Sequence, residues 1–448
     1  MSRATASPQT ARQVPPDILP QDDPYYLEES LFAVRDRTLS LVKGLSDADA
    51  TVQSMTDASP AKWHLAHTTW FFETLILVPF LKGYRPFDDT YGYLFNSYYE
   101  RIGDRHPRDR RGMLTRPSLD EIRAYRAHVD AALGKLFSTR LPNSETVDLI
   151  ELGMHHEQQH QELLLTDLLH LFAQNPLSPV YRMIKPGHSH EPARTDQSAV
   201  VWHEYEGGLC EIGAASDGFT YDNERPRHSV HLAPFSLADR PVTGGDWIRF
   251  IEDGGYDNPL LWLADGWALV QQENWRHPIY WRQCEGVWKA MTLGGLLPVD
   301  RSAPVSHISY FEAAAYAQWA GARLPREAEW EMAAMRLSGN AVKTANFLES
   351  GTMRPDALRA AADRQHQGPR QMFGDVWEWT QSSYCAYPGF KPLQGAAEEY
   401  NGKFMCGQFV LKGGSCATPR SHIRASYRNF FYPHQRWQFS GLRLAKDL

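Results

Sequence analysis

The sequence predicts an α+β protein of two domains, a helical bundle followed by an irregular domain of short strands. Three observations carry this. At 448 residues the chain is too long for one ordinary core. From Tyr25 to about Ala173 apolar residues recur at helical spacing. After Val200 short β-type runs alternate with Gly, Pro and Asp, and aromatic residues are dense.

Residues 1–22, rich in Pro, Gln, Ser and Thr, read as a disordered tail without the apolar centre of a signal peptide. Within 23–174 four segments read as helices. The first, Tyr26 to Leu45, carries Leu27, Leu31, Val34, Leu41 and Leu45. The second runs from Pro60 to Leu81, with Ser59 and Pro60 as cap and first turn. The third opens on the capping box Ser118-Leu119-Asp120-Glu121 and reaches Phe137. The fourth starts at Asn143 or Ser144 and runs to Phe172. With a long crossover between the second and third, these predict a four-helix bundle. Residues 175–197, punctuated by prolines, read as a linker. Residues 198–448 form the second domain, in which helices are expected over Thr243–Asp253, Phe311–Trp319 and about Arg326–Met335.

Composition excludes several classes. A net charge of -7 with both signs mixed gives neither nucleic acid nor an anionic membrane a reason to bind. The five cysteines are scattered and lack CxxC spacing, which argues against a disulfide framework and a cysteine zinc site. Leu75–Leu81 is apolar but far too short to span a bilayer, so a cytoplasmic protein is expected.

One stretch of the fourth helix stands out: His155-His156-Glu157-Gln158-Gln159-His160-Gln161-Glu162. His156 and His160 are four apart, so a helix presents both imidazoles on one face. His155 points about 100° away. Glu162 cannot share the direction of His160, and a role orienting an imidazole or a water suits it better. The alternative is a polar face washed by solvent. The second helix offers His64 and His67, either of which completes a three-histidine face in a bundle. Three neutral imidazoles suit zinc, iron(II), copper or nickel.

Ser59-Pro60 with Trp63 and His67, followed by His156, His160 and Glu162, resembles the DinB-like metal-binding bundle of the ergothioneine-pathway sulfoxide synthases. The second half resembles the formylglycine-generating, C-type-lectin-like domain that partners it in that family. The matching stretches are Arg240–Thr243, Gly321–Glu331, Phe373–Trp379, Lys412–Ser415 and Ser440–Leu444, with Arg326 and Asp375 departing from the usual Thr and Asn. The resemblance implies a non-haem Fe(II) held by His67, His156 and His160. It implies O2-dependent joining of a cysteine sulfur to C2 of Nα-trimethylhistidine (hercynine), giving a sulfoxide.

It further implies that Asn429 lines the trimethylhistidine site, with Phe430, Phe431 and Trp437 supplying aromatic faces for the quaternary ammonium. The family places an acidic residue for γ-glutamylcysteine where Phe431 stands, which leans the thiol donor toward free cysteine. Gln159 is expected to contact the substrate imidazole. Arg105, Arg108 and Arg111, in an arginine-dense crossover, are candidates to fork onto substrate carboxylates. Tyr98 and Tyr99, on the same crossover, are the first candidates to deliver a proton, with Tyr384 the alternative. Three rivals stand beside this reading. Formylglycine generation lacks its cysteine pair, since only Cys416 follows Lys412–Ser415. A 5-histidylcysteine sulfoxide synthase usually carries a further methyltransferase domain. A non-catalytic lectin-like binding protein predicts no tight iron site.

Overall fold

The computed structural model describes residues 24–97, 99–139, 143–183, 200–215, 218–337, 340–358, 368–393 and 400–448. The expected tail, and residues 184–197 of the expected linker, lie outside these. The bundle is built from Pro24–Val42, Ala61–Phe72, Leu119–Thr139 and Ser144–Ala173. The third helix starts as expected: the Ser118 N–H donates to Glu121 Oε2 at 2.6 Å, and the Glu121 N–H to Ser118 Oγ at 3.2 Å. Asn143 caps the fourth by accepting from the Thr146 N–H.

The second helix differs in two ways. Pro60 occupies its cap position and has no polar side chain to offer. Ser59 is employed elsewhere, its N–H on Asp167 and its hydroxyl accepting from Arg111. Further on, the helix widens into a π segment over Glu73–Leu77 before resuming at Val78–Phe80. Pro79 has no N–H for the carbonyl one turn back and would crowd it, which a wider turn relieves.

In the second domain a four-stranded sheet runs in the order Asn429–Phe431, Phe409–Lys412, Trp377–Ser383, Ser440–Gly441. A second sheet pairs Phe235–Ala238 with both Trp202–Tyr205 and Ala445–Asp447, tying the chain's last strand to the domain's first. Trp247, Trp330, Trp377 and Trp379 are all fully buried at its core. Helices Gly244–Glu252, Tyr310–Trp319 and Glu327–Met335 stand where expected, the first two capped by Thr243 and Ser309. Ala264–Gln272 is an additional helix; it begins after Leu263, which makes no side-chain cap, so no start signal announces it.

The fourth helix is the seam of the molecule, and its polar run has no solvent face. Successive residues step round a helix by about 100°, which sorts the run into three directions. Glu157 and Gln161 turn into the bundle, toward Arg35, Arg126, Thr38 and Val34. His155, Gln158 and Glu162 turn to the second domain, meeting His422, Ser421 and the Ser415–Thr418 turn. His156, Gln159 and His160 share the direction between.

Glu157 is a fully buried carboxylate of the bundle, paired with the guanidinium groups of Arg35 and Arg126 and bonded by Thr38 Oγ1 at 2.5 Å. Burial alone would raise its pKa, but Arg126 and Arg35 outweigh that and hold it below the ordinary value. A depressed carboxylate stabilises the fold above its unfolded pKa of about 4.3. That stabilisation is lost as pH falls through the lower folded value. Glu157→Ala strips the buried Arg126 of its carboxylate and leaves Arg35 with Asp130 alone, and is expected to cost about 3–5 kcal/mol, read as a lower urea midpoint at pH 7.

Candidate metal centre

His67, from the second helix, and His156 and His160, from the fourth, bring one ligand nitrogen each to within 4.8 Å of one another. Their ring centroids lie 4.7–4.9 Å apart. Of the two candidates on the second helix, His67 is therefore the one that joins the pair.

Each ring is held by its own support. His67 is sandwiched between Trp63 at 4.6 Å and Trp70 at 5.5 Å, both nearly parallel to it. Its Nδ1 donates to the Phe95 carbonyl at 2.6 Å, which leaves Nε2 as the lone-pair nitrogen. His64 takes a supporting place instead. Its Nε2 donates to Asp167 Oδ2 at 3.0 Å, so its Nδ1 is the acceptor facing His160 Nδ1 at 2.9 Å. His160 therefore carries its hydrogen on Nδ1 and offers Nε2. This carboxylate–imidazole–imidazole relay fixes a ligand's tautomer from outside the ligand set. Removing it with Asp167→Ala is expected to weaken metal affinity about 10–100-fold, measured by competition with a chelator.

Burial depresses the pKa of all three rings: that of His156 falls to about 3, and those of His67 and His160 lie well below the ordinary value. Neutral imidazoles are the form that binds metal. Among the described residues the buried His156 Nδ1 has no hydrogen-bond partner. Three neutral imidazoles converging from two helices, with an unsatisfied ring nitrogen on His156, fit a mononuclear metal ion and leave open coordination positions.

The second domain closes over this cluster. Gln159 bridges two of its tyrosines: the Tyr400 hydroxyl donates to Gln159 Oε1, and Gln159 Nε2 donates to the Tyr427 hydroxyl at 2.7 Å. The Tyr400 ring lies 5.9 Å from that of His156 and stacks on Tyr221 at 5.2 Å. Glu162 corrects the sequence reading. Its carboxylate accepts from Trp377 Nε1, Ser415 Oγ and Thr418 Oγ1 at 2.6–2.8 Å, clamping the domains together rather than orienting a ring or a water at the metal.

The other expected residues fall in several places. Arg105 donates to the Ser97 carbonyl and pairs with Glu100; the Ser97 hydroxyl itself lies 3.3 Å from His67 Nε2. Arg108 is exposed and donates to the Asp57 carbonyl. Arg111 is buried with its guanidinium 3.3 Å over the Trp63 ring and bonded to Ser59, so it braces the wall behind His67. Tyr99 is buried beside Trp70 and Phe71. Tyr98 lies outside the described residues.

Asn429 accepts the Phe430 N–H on its Oδ1 and retains Nδ2 as a donor. Phe430 stacks at 4.0 Å on Tyr384, whose hydroxyl accepts from Asn223, while Phe431 pairs with Phe409 across the sheet. Trp437 is core, its carbonyl serving Tyr280 and His307. Among the aromatic rings that gather at the seam are Tyr221, Tyr400 and Tyr427, none of them singled out from the sequence, beside Phe219 and Trp377. Tyr400 sits in Glu399-Tyr400-Asn401-Gly402, which has no periodicity to mark it.

Comparison with known proteins agrees with this layout. Residues 31–164 match the DinB superfamily, and residues 188–448 match the sulfatase-modifying factor enzyme 1-like domain. A hercynine oxygenase of Mycolicibacterium smegmatis is 35% identical over 444 residues, covering 94% of this chain and 99% of that protein. One from Mycobacterium tuberculosis is also 35% identical, over 95% of this chain and 99% of its own. An inactive C-alpha-formylglycine-generating enzyme 2 of Mus musculus is 29% identical, over 47% of this chain and 76% of its own.

Proposed function

The chain belongs to the hercynine oxygenase family, and on that premise we propose that it is an Fe(II)- and O2-dependent sulfoxide synthase of ergothioneine biosynthesis. It joins the sulfur of cysteine to imidazole C2 of hercynine, the Nα-trimethylated histidine, and oxidises that sulfur. Forming the C–S bond removes two electrons and oxidising sulfur removes two more, which together match the four that O2 takes up. One oxygen atom stays in the sulfoxide and the other leaves as water.

The observation that carries the reading is the convergence of three neutral imidazoles, from His67, His156 and His160, beneath tyrosines of the second domain. His67, His156 and His160 would hold the iron, which would supply the redox chemistry between O2 and the thiol. The protein's own groups do the rest. Gln159 and Asn429 offer amide donors and acceptors to the substrate imidazole and carboxylate. Arg105 and Arg108, on the crossover whose Ser97 reaches His67, are the guanidinium candidates for a second carboxylate.

The Tyr400 hydroxyl is the proton source. Burial raises its pKa well above the ordinary tyrosine value, so it stays protonated at neutral pH. Phe431, in place of a carboxylate, offers nothing to a γ-glutamyl ammonium, which favours free cysteine. The buried, non-nucleophilic Cys416 speaks against formylglycine chemistry: burial holds its thiol pKa well above the ordinary range. No described helix is long and apolar enough to cross a membrane.

Oxygen uptake by the Fe(II)-loaded protein tests this, with hercynine plus either cysteine or γ-glutamylcysteine and the products weighed by mass spectrometry. The expected product contains imidazole, cysteine and one oxygen. Coupling with γ-glutamylcysteine alone would overturn the donor, and free histidine coupled at C5 would overturn the regiochemistry. Iron binding without any coupling would overturn the synthase.

A further inference from the structure

The crossover between the second and third helices grips the His67 ring at both of its nitrogens. The Phe95 carbonyl takes the Nδ1 hydrogen at 2.6 Å, and the Ser97 hydroxyl lies 3.3 Å from Nε2. The first contact settles the direction of the second. A carbonyl can only accept, so the neutral ring carries its one hydrogen on Nδ1 and has only a lone pair on Nε2. Ser97 is therefore the donor. Its hydrogen engages the same lone pair that a metal ion needs, and a lone pair serves one of them at a time.

Ser97 has little freedom to withdraw. It is buried, and its own carbonyl accepts from Arg105. Its neighbour Asn96 closes the turn, donating to the Gly103 and Tyr99 carbonyls at 2.9 and 3.2 Å and accepting the Tyr99 N–H at 3.3 Å. With the backbone tied on both sides, the side-chain torsions are the freedom left to it. Once a metal ion holds Nε2, the hydroxyl stays close by as a buried donor without its acceptor, and leaving it so is costly.

We propose that Ser97 is a positioning residue for the thiol substrate: released from His67, its hydroxyl donates to the thiolate sulfur at the metal centre. This rests on the synthase reading above. The choice of sulfur follows from Arg105, the guanidinium offered to a substrate carboxylate, which is held on the Ser97 carbonyl itself. As many bonds separate the carboxylate carbon of cysteine from its sulfur as separate the Ser97 carbonyl carbon from its hydroxyl oxygen. A cysteine whose carboxylate reaches Arg105 therefore brings its sulfur to the depth of that hydroxyl. The groups offered to hercynine, Gln159 and Asn429, come instead from the fourth helix and the second domain. A thiolate, being charged, also gains more from a hydroxyl donor than a neutral imidazole does.

Cobalt(II) in place of iron, under argon, tests this without turnover. Thiolate coordination gives cobalt a charge-transfer band, which is titrated with cysteine and with cysteamine, a thiol that lacks the carboxylate. Ser97→Ala should weaken both thiols about tenfold and leave hercynine affinity, measured by calorimetry, within about twofold. Cobalt affinity, measured against a chelator, should be unchanged or tighter, because the rival for the His67 lone pair is gone. A loss confined to cysteine overturns the proposal, since the hydroxyl would then act through Arg105 and not at sulfur. So does undiminished thiol binding, or an equal loss for hercynine. A fall in cobalt affinity also overturns it, by making Ser97 a support of the ion itself. If the wild-type protein takes up cobalt but shows no band with either thiol, the synthase reading fails and the proposal with it. A band that Ser97→Ala leaves unaltered sinks the role of Ser97 alone.

Discussion

His160→Ala is expected to abolish iron binding at micromolar metal and to lower coupled turnover by at least about 10³-fold, without unfolding the protein. The substitution removes one of three converging nitrogens and also the group that receives the Asp167–His64 relay. Two imidazoles on separate helices remain, too few for a mononuclear site of ordinary affinity. The fold should survive because His160 is only part-buried, while the bundle is held by Glu157 and its two arginines on another face of the same helix. Iron stoichiometry after desalting, with the melting temperature as control, checks both halves. Retained iron at full stoichiometry would move the third ligand elsewhere, His64 being the next imidazole in reach. His64→Ala should behave differently, weakening the metal in the manner of Asp167→Ala but leaving three ligands in place.

The ligands were legible because helical period is a local property. His156 and His160 fall on one face whatever the rest of the chain does, and the capping pair Ser118 and Glu121 marks its helix without tertiary help. His64 and His67 were not separable in this way. Both face the fourth helix, and only the position of Asp167, about one hundred residues away, makes one a ligand and the other its support. The same limit hid Glu162 and Arg111. A carboxylate two residues from a ligand reads as part of the site until Trp377, Ser415 and Thr418 are seen to claim it. An arginine run reads as a set of carboxylate forks until one member is found buried against Trp63. Tyr400 and His422 carry no local pattern at all; the folded second domain alone brings them to the fourth helix.

Tyr400→Phe is expected to lower kcat for the coupled product by about 10²–10⁴-fold, the range for losing a positioned acid or base. Iron content should be unchanged and the KM for hercynine nearly so. The change deletes one oxygen and keeps the ring that stacks on Tyr221 and faces His156, so packing has little reason to alter. Tyr99→Phe serves as the contrast. Its ring is walled in by Trp70 and Phe71 on the second helix, and the substitution should cost no more than a few-fold. The pH dependence adds a second check with a definite sign. Because burial pushes the Tyr400 hydroxyl well above the ordinary value of about 10, its ionisation should impose no fall in rate between pH 7 and about 9. An alkaline limb in that interval, absent from Tyr400→Phe, would mean that the hydroxyl titrates within reach of water and that the second domain does not seal the site. Loss of turnover in Tyr99→Phe with none in Tyr400→Phe would instead place the proton source on the crossover, next to Ser97 and the His67 ring it approaches.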